Sequence, residues 1–221
     1  MIKKRFFFFA LSYLFAHNPE QKNIVWTNFV RLGIVSNTEI NQTGLSSFYR
    51  IKRVNDNTFR DLRIYAHFFK SVSDIRIRSK SSNKYDFNSR LYHFTTYVYH
   101  KSGENLRYHF NQGLGALIKD EIQGNITSEI GWAYDKSDFI ESDEKTTYLK
   151  SAITIDRDFS KFKTKAELEY YHQISEVVLF NLSRFQTIVE FQFLINETWS
   201  TVIGIDREVY TESSNRFRID P

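Results

Sequence analysis

The sequence contains no cysteine, 2 prolines, 8 glycines and 1 methionine in 221 residues. Without a thiol there is no disulfide framework, no thiolate metal centre and no cysteine nucleophile. The prolines are Pro19 and Pro221, so nothing between residues 20 and 220 forces a break in a regular backbone. Net charge is also scarce: 30 Lys and Arg face 26 Asp and Glu, and Lys3, Lys4 and Arg5 carry most of the difference. Beyond them the basic surplus that phosphate binding requires nearly vanishes, which excludes a nucleic-acid partner. What the chain has in plenty is aromatics, 21 Phe, 13 Tyr and 3 Trp, within 41% hydrophobic residues. That composition argues against disorder, collagen and coiled coil.

The amino terminus has three zones. Residues 3–5 are cationic, Phe6 to Ala16 form an apolar run, and His17, Asn18, Pro19 and Glu20 are polar. This is the order of a secretory signal peptide. As a helix the run would rise about 16 Å, half the hydrocarbon thickness, so it is too short to span a bilayer. The organisation this predicts is a signal peptide at 1–16, cleaved after Ala16, and one domain at 17–221. The other reading of the run is a buried strand or helix. No later stretch reaches the roughly eighteen apolar residues of a helical anchor, so an exported chain would reside in the periplasm, in the outer membrane or outside.

The body of the chain repeats with a period of two. Leu106, Tyr108, Phe110, Leu114, Ala116 and Ile118 alternate with Arg107, His109, Asn111, Gly113 and Gly115. Ile126, Ile130, Trp132 and Tyr134 alternate with Asn125, Thr127, Glu129, Gly131 and Asp135. Phe162, Ala166, Leu168 and Tyr170 stand against Lys163, Lys165, Glu167 and Glu169. Side chains on a strand point alternately to opposite faces, so each segment has one apolar and one polar face. The pattern predicts an all-β chain of antiparallel up-and-down strands at 23–35, 40–53, 58–70, 74–80, 85–100, 105–119, 124–138, 146–158, 162–173, 178–195, 198–210 and a stub from 216. The weakest is 74–80. Counting it sorts the short turns at 55–57, 160–161 and 196–197 to one end and the acidic 139–145 loop to the other.

Alternation alone does not say which face is inside. A soluble barrel or sandwich turns its apolar face inward; a membrane barrel turns it toward lipid. A barrel of about twelve strands is too wide for inward apolar side chains to fill. Most segments exceed the mean soluble strand of about 5–6 residues and are long enough to cross a bilayer at a tilt. Trp26, Phe68, Tyr108, Trp132, Tyr170 and Trp199 sit near strand ends on the apolar face, where interfacial girdles lie. The expectation is therefore a transmembrane β-barrel in the cell outer membrane, with outer-membrane lipid as its partner.

The run Arg90-Leu91-Tyr92-His93-Phe94, the glycines of Gly113-Leu114-Gly115-Ala116 and Ile130-Gly131-Trp132-Ala133-Tyr134, then Tyr148-Leu149-Lys150 and Phe162 to Tyr171, carry a family resemblance. Over residues 24–220 the chain resembles the YdiY-like salt-induced outer-membrane proteins, a family of unassigned molecular function. The resemblance implies a Gram-negative outer-membrane β-barrel, and a final full strand ending in an aromatic. Here Arg216-Phe217-Arg218-Ile219 runs into Asp220-Pro221, so the last strand is expected as a truncated one.

No catalytic, cofactor-binding or metal-binding residues are assigned. The six His (17, 67, 93, 100, 109 and 172) are scattered; His67 and His109 could meet across a lumen as metal ligands. Glu167 and Glu169 share a polar face, as an acid–base pair would, and lumen salt bridging is the plainer reading. There is no Gly-x-Ser-x-Gly elbow, and Gly113-x-Gly115 lacks the third glycine of a nucleotide fold, so it reads as close strand contact or a bend. No enzyme and no cofactor is expected. The first functional hypothesis is a barrel with a structural or small-solute passage role, lined by Arg63, His67, Arg107, Glu129, Lys163, Lys165, Glu167, Glu169, Arg184, Glu190 and Glu208. The second is a soluble periplasmic barrel or sandwich that binds an apolar ligand within. An outer-membrane hydrolase is a third.

Overall fold

The computed structural model describes residues 3–17, 24–86, 89–121, 123–137, 146–175, 181–196 and 199–211, with 3–17 followed as a strand path. The chain is all-β. Eleven strands form one antiparallel up-and-down sheet that curls on itself: β2 (Val25–Asn37), β3 (Gln42–Val54), β4 (Thr58–Phe68), β5 (Ser73–Lys84), β6 (Leu91–Ser102), β7 (Asn105–Glu121), β8 (Gly124–Ser137), β9 (Thr146–Asp158), β10 (Phe162–Gln173), β11 (Arg184–Leu194) and β12 (Trp199–Tyr210). A further strand, β1 (Lys3–His17), pairs antiparallel with both β2 and β12 and closes the circuit. With 11 to 17 residues, each of β2–β12 is long enough for a tilted crossing of about 9–11 residues.

The curl needs that further strand for a reason of parity. In an up-and-down sheet of eleven strands the two edges run in the same direction, so β2 and β12 cannot pair as antiparallel neighbours. A strand running against both satisfies both edges at once, as Phe9 does opposite Ile34 and Ile203. Of the stretch read as a signal peptide, 1–16, residues 3–16 therefore run here within a barrel strand. A segment cleaved after Ala16 cannot hold that place, so the two roles are alternatives for these residues. The stub from 216 lies outside the described residues. Among the described residues there are twelve strands, β1 being one of them.

One further expectation changes. The weak segment at 74–80 is a full strand of 12 residues, Ser73–Lys84. Its second half escapes detection because Ser79, Ser81 and Asn83 alternate with Lys80, Ser82 and Lys84, leaving both faces polar. The strand order puts the turns expected together, at 55–57, 159–161 and between β11 and β12, at one rim, and equally short ones at 38–41, 69–72 and 103–104 close the other. The 139–145 loop lies outside the described residues.

The barrel wall is inside-out relative to a soluble protein. Leu45, Leu32 and Ile34 are 68%, 61% and 55% exposed, whereas Lys150, Arg184, Glu129 and Asp135 are 0%, 2%, 4% and 4% exposed. Trp26 and Trp199 open their strands at the first rim, while Phe68 and Tyr108 stand at the second, all on the outer face. The alternative of a soluble barrel with an apolar interior requires the opposite assignment and does not describe this chain.

Closure by β1 yields a direct expectation. Removing residues 1–17 leaves two parallel edges whose unpaired backbone groups each cost several kcal/mol, about what a hydrocarbon environment imposes. The truncated protein should lose the compact form that migrates faster in unboiled detergent gels. A truncated chain that keeps the fast-migrating form would show that the seam closes without this strand.

Candidate functional site: the charged lumen

The inner face collects one residue in two from each of β2–β12, and many of those residues are ionic. Around the waist they form a continuous chain. Arg50 on β3 donates through Nε to Asp61 at 2.7 Å, and Arg63, two residues along β4, donates to the same carboxylate at 2.7 Å. Arg63 Nη1 reaches across to Glu167 on β10 at 3.0 Å. Glu167 also takes Lys165 at 2.7 Å and Arg78 of β5 at 3.4 Å. Arg78 continues to Glu169 at 3.1 Å, which accepts from Lys150 at 2.9 Å and from the Tyr171 hydroxyl at 2.6 Å. Lys150 of β9 stands 3.9 Å from Glu129 of β8, which also accepts from Lys80 and from the Tyr92 hydroxyl at 2.9 Å.

A second cluster lies beside the first. Asp135 of β8 accepts from Arg107 at 2.5 Å, from Arg184 at 2.9 Å and from His109 Nδ1. Glu208 of β12 lies within ion-pair distance of both arginines, 3.6 and 3.3 Å. The Asn111 amide nitrogen lies 3.0 Å from His109 Nε2. Smaller pairs complete the wall: His100 with Asp74 at 3.0 Å, Arg76 with Asp206 at 3.3 Å and Arg31 with Glu190 at 3.0 Å. Rings back the cations from the same face. Arg184 lies over Tyr171 and Tyr148 at 4.5 and 4.8 Å, and Lys80 and Lys150 flank Phe94 at 5.3 and 5.5 Å. Such contacts add to the attraction where water is displaced.

Glycines make the room these groups need. A Cβ at Gly115 would strike the ring of Tyr92, so the bare backbone is what lets that ring reach Glu129. Gly113 and Gly131 stand opposite one another, and a Cβ on either would strike the other strand's backbone. The Gly-x-Gly of this strand therefore serves close contact, as the isolated pair of glycines suggested.

All eleven lumen residues expected from alternation lie on the inward-facing register of their strands. His67 packs edge-on to Phe69, with ring centroids 6.5 Å apart, while His109 belongs to the Asp135 cluster. Glu167 and Glu169 are enclosed by cations, the bracing reading. Lys163 sits at the rim, paired with Asp158. Sequence reasoning did not single out Asp61, Arg78, Lys80, Asp135 or Lys150 as lumen residues. The alternation at 74–80, with Arg76 and Arg78 against Ile75 and Ile77, was the available signal for the β5 members. His109 and Asp135 form, as His100 and Asp74 do, an arrangement reminiscent of a catalytic dyad. Two arginines neutralise Asp135, however, and among the described residues no Ser or Thr hydroxyl bonds to the His109 ring.

One cavity in the lumen, lined by Arg76, Arg78, Arg107, Glu167, Glu169 and Arg184 among others, has a volume of ≈ 50 Å³. At about 10–15 Å³ each this holds a handful of water molecules. Water there would serve Thr96 Oγ1 and Asn111 Oδ1, buried oxygens without a protein partner. A larger concavity, ≈ 560 Å³, is set mainly in the outer wall among Tyr97, Tyr99, Tyr108, Phe110 and Tyr134.

No family model matches the chain, and no curated protein sequence does. Among solved structures it is similar to a bacterial polysaccharide outer membrane secretin, with 8% identity, a TM-score of 0.40, and coverage of 94% of this chain and 98% of that one. It is also similar to the translocator domain of autotransporter NalP from Neisseria meningitidis, with 8% identity, a TM-score of 0.31, and coverage of 95% and 87%. The assignment to a membrane-type barrel rests here on the outward apolar face and the inward ionic one.

The network makes a quantitative expectation. Glu167→Ala leaves Lys165 without its carboxylate and takes one of two counter-charges from Arg63 and from Arg78, which keep Asp61 and Glu169, and should cost about 3–5 kcal/mol of unfolding free energy in detergent or lipid, the range for removing one partner of a buried pair. Lys119→Ala, at an exposed pair with Glu121, should change stability by about 0–1 kcal/mol. Equal effects from the two variants would show that the lumen contacts do not bear on stability.

Proposed function

We propose that this protein is an outer-membrane β-barrel whose lumen is held shut by its own side chains, so that it serves a structural role or passes nothing larger than water. The observation that carries this reading is the pair of bridges that cross the interior, Arg63 to Glu167 and Lys80 to Glu129, beside a lumen cavity of only ≈ 50 Å³. A conducting pore needs a continuous wet path, with charge rings that bind weakly enough to release. Here the charges bind one another. The resemblance to the salt-induced YdiY-like proteins supports an outer-membrane setting and a salt-responsive role, and both belong to this proposal.

Planar-bilayer recording of the purified, folded protein tests it. The wild type should insert without the stable conductance steps of an open pore, whereas a variant carrying Arg63→Ala, Arg78→Ala and Glu167→Ala should conduct if it remains folded. Large, steady steps from the wild type would contradict the closed-lumen reading and restore solute passage as the function.

A further inference from the structure

The outer face of β3–β6 near the first rim departs from the rest of the wall. Arg53 is the penultimate residue of β3, Arg60 the third of β4, Asn83 the penultimate of β5 and His93 the third of β6. Arg53 and Arg60 stand directly opposite each other in register, and Asn83 stands opposite His93. Like charges directly opposite across a strand pair are unfavourable. Inside the barrel, arginines such as Arg63, Arg78, Arg107 and Arg184 each meet carboxylates. On this outer sector neither Arg53 nor Arg60 makes an ion pair among the described residues.

What they do make is a prepared cradle. Arg60 Nη1 donates to the carbonyls of Phe59 and Ser82, both 2.9 Å, and Nη2 donates to Asn83 Oδ1 at 2.8 Å. The Asn83 amide nitrogen in turn lies 2.9 Å from His93 Nε2. Arg53 lies over the ring of Trp26, 5.8 Å from its centroid, at the rim where such rings mark the interface. Elsewhere on the same rim the Arg157 guanidinium is already answered by Glu121 at 2.9 Å. Two fixed guanidinium groups with spare donors, at headgroup height on a lipid-facing wall, are complementary to a phosphate ester.

We infer that this sector binds the phosphate of an anionic membrane lipid, its acyl chains lying along Leu62, Ile64 and Ile51 of the same strands. The inference rests on the membrane reading above. Lipid retention by the folded, bilayer-extracted protein tests it, with phosphatidylcholine vesicles carrying phosphatidylglycerol as the probe and native mass spectrometry as the readout. Wild type should retain phosphatidylglycerol in preference to phosphatidylcholine. The double variant Arg53→Gln, Arg60→Gln should lose that preference by on the order of tenfold, and Arg157→Gln should keep it. Because Arg60 also ties down backbone carbonyls, Arg53→Gln alone provides a second variant, expected to lose part of the preference while keeping heat-modifiable migration. Inorganic phosphate added to lipid-free protein should not give a retained adduct. Equal retention of the two lipids by wild type, an unchanged preference in both Arg53 variants, or an equal loss with Arg157→Gln would overturn the site. Failure to insert into vesicles at all would instead overturn the membrane reading.

Discussion

Charge inside a barrel has to be neutralised by charge, and in this protein the neutralisation runs across the lumen. An ionised group taken out of water loses several kcal/mol of solvation, regained only when a counter-charge meets it in good geometry. Arg63 finds Glu167 six places away round the twelve-strand circuit, and Lys80 finds Glu129 three places away. The first contact holds opposite walls at fixed separation, and the second spans a quarter of the circuit. The outer face then follows, because alternation sends Leu32, Ile34, Ile203 and Ile205 to the side the ions have vacated. That apolar exterior has lipid as its natural solvent.

The same network accounts for how the interior is filled. Wide barrels leave water in the middle when side chains from facing walls do not meet. Here Arg78, Lys150 and Arg184 extend far enough to meet carboxylates from other strands, and the rings of Phe94, Tyr148 and Tyr171 fill between them. Gly115 shows how finely the wall is fitted to that interior, since one Cβ would displace the Tyr92 ring from its path to Glu129. Filling the lumen in this way braces the wall from within.

Much of this was legible in the residue order and some was not. Period-two patterning in 105–119, 124–138 and 162–173 located strands and faces, because side-chain direction on a strand is a local property. It also placed Glu167, Glu169, Arg184 and Glu208 inside. Partner choice was illegible, since whether Arg63 meets Glu167 or Asp135 depends on strand tilt and stagger around the whole barrel. The extent of β5 was missed where Ser79, Ser81 and Asn83 make the outer face polar, and the polar outer sector near Arg53 and Arg60 was missed with it. The amino-terminal run was ambiguous in principle: a charged, apolar, polar order suits an export signal, and its apolar stretch equally suits a strand between two edges.

The absence of cysteine allows one measurement to address the orientation of the wall without competing labels. Nitroxide attached at Ile153→Cys and, in a separate protein, at the adjacent Thr154→Cys would sample the two faces of β9 one residue apart. In reconstituted bilayers the label at 153 should be relaxed strongly by oxygen dissolved in the hydrocarbon and weakly by a water-soluble nickel chelate, whereas the label at 154 should be shielded from oxygen. The reverse pattern, with 154 facing acyl chains and 153 shielded, would contradict the account at its base.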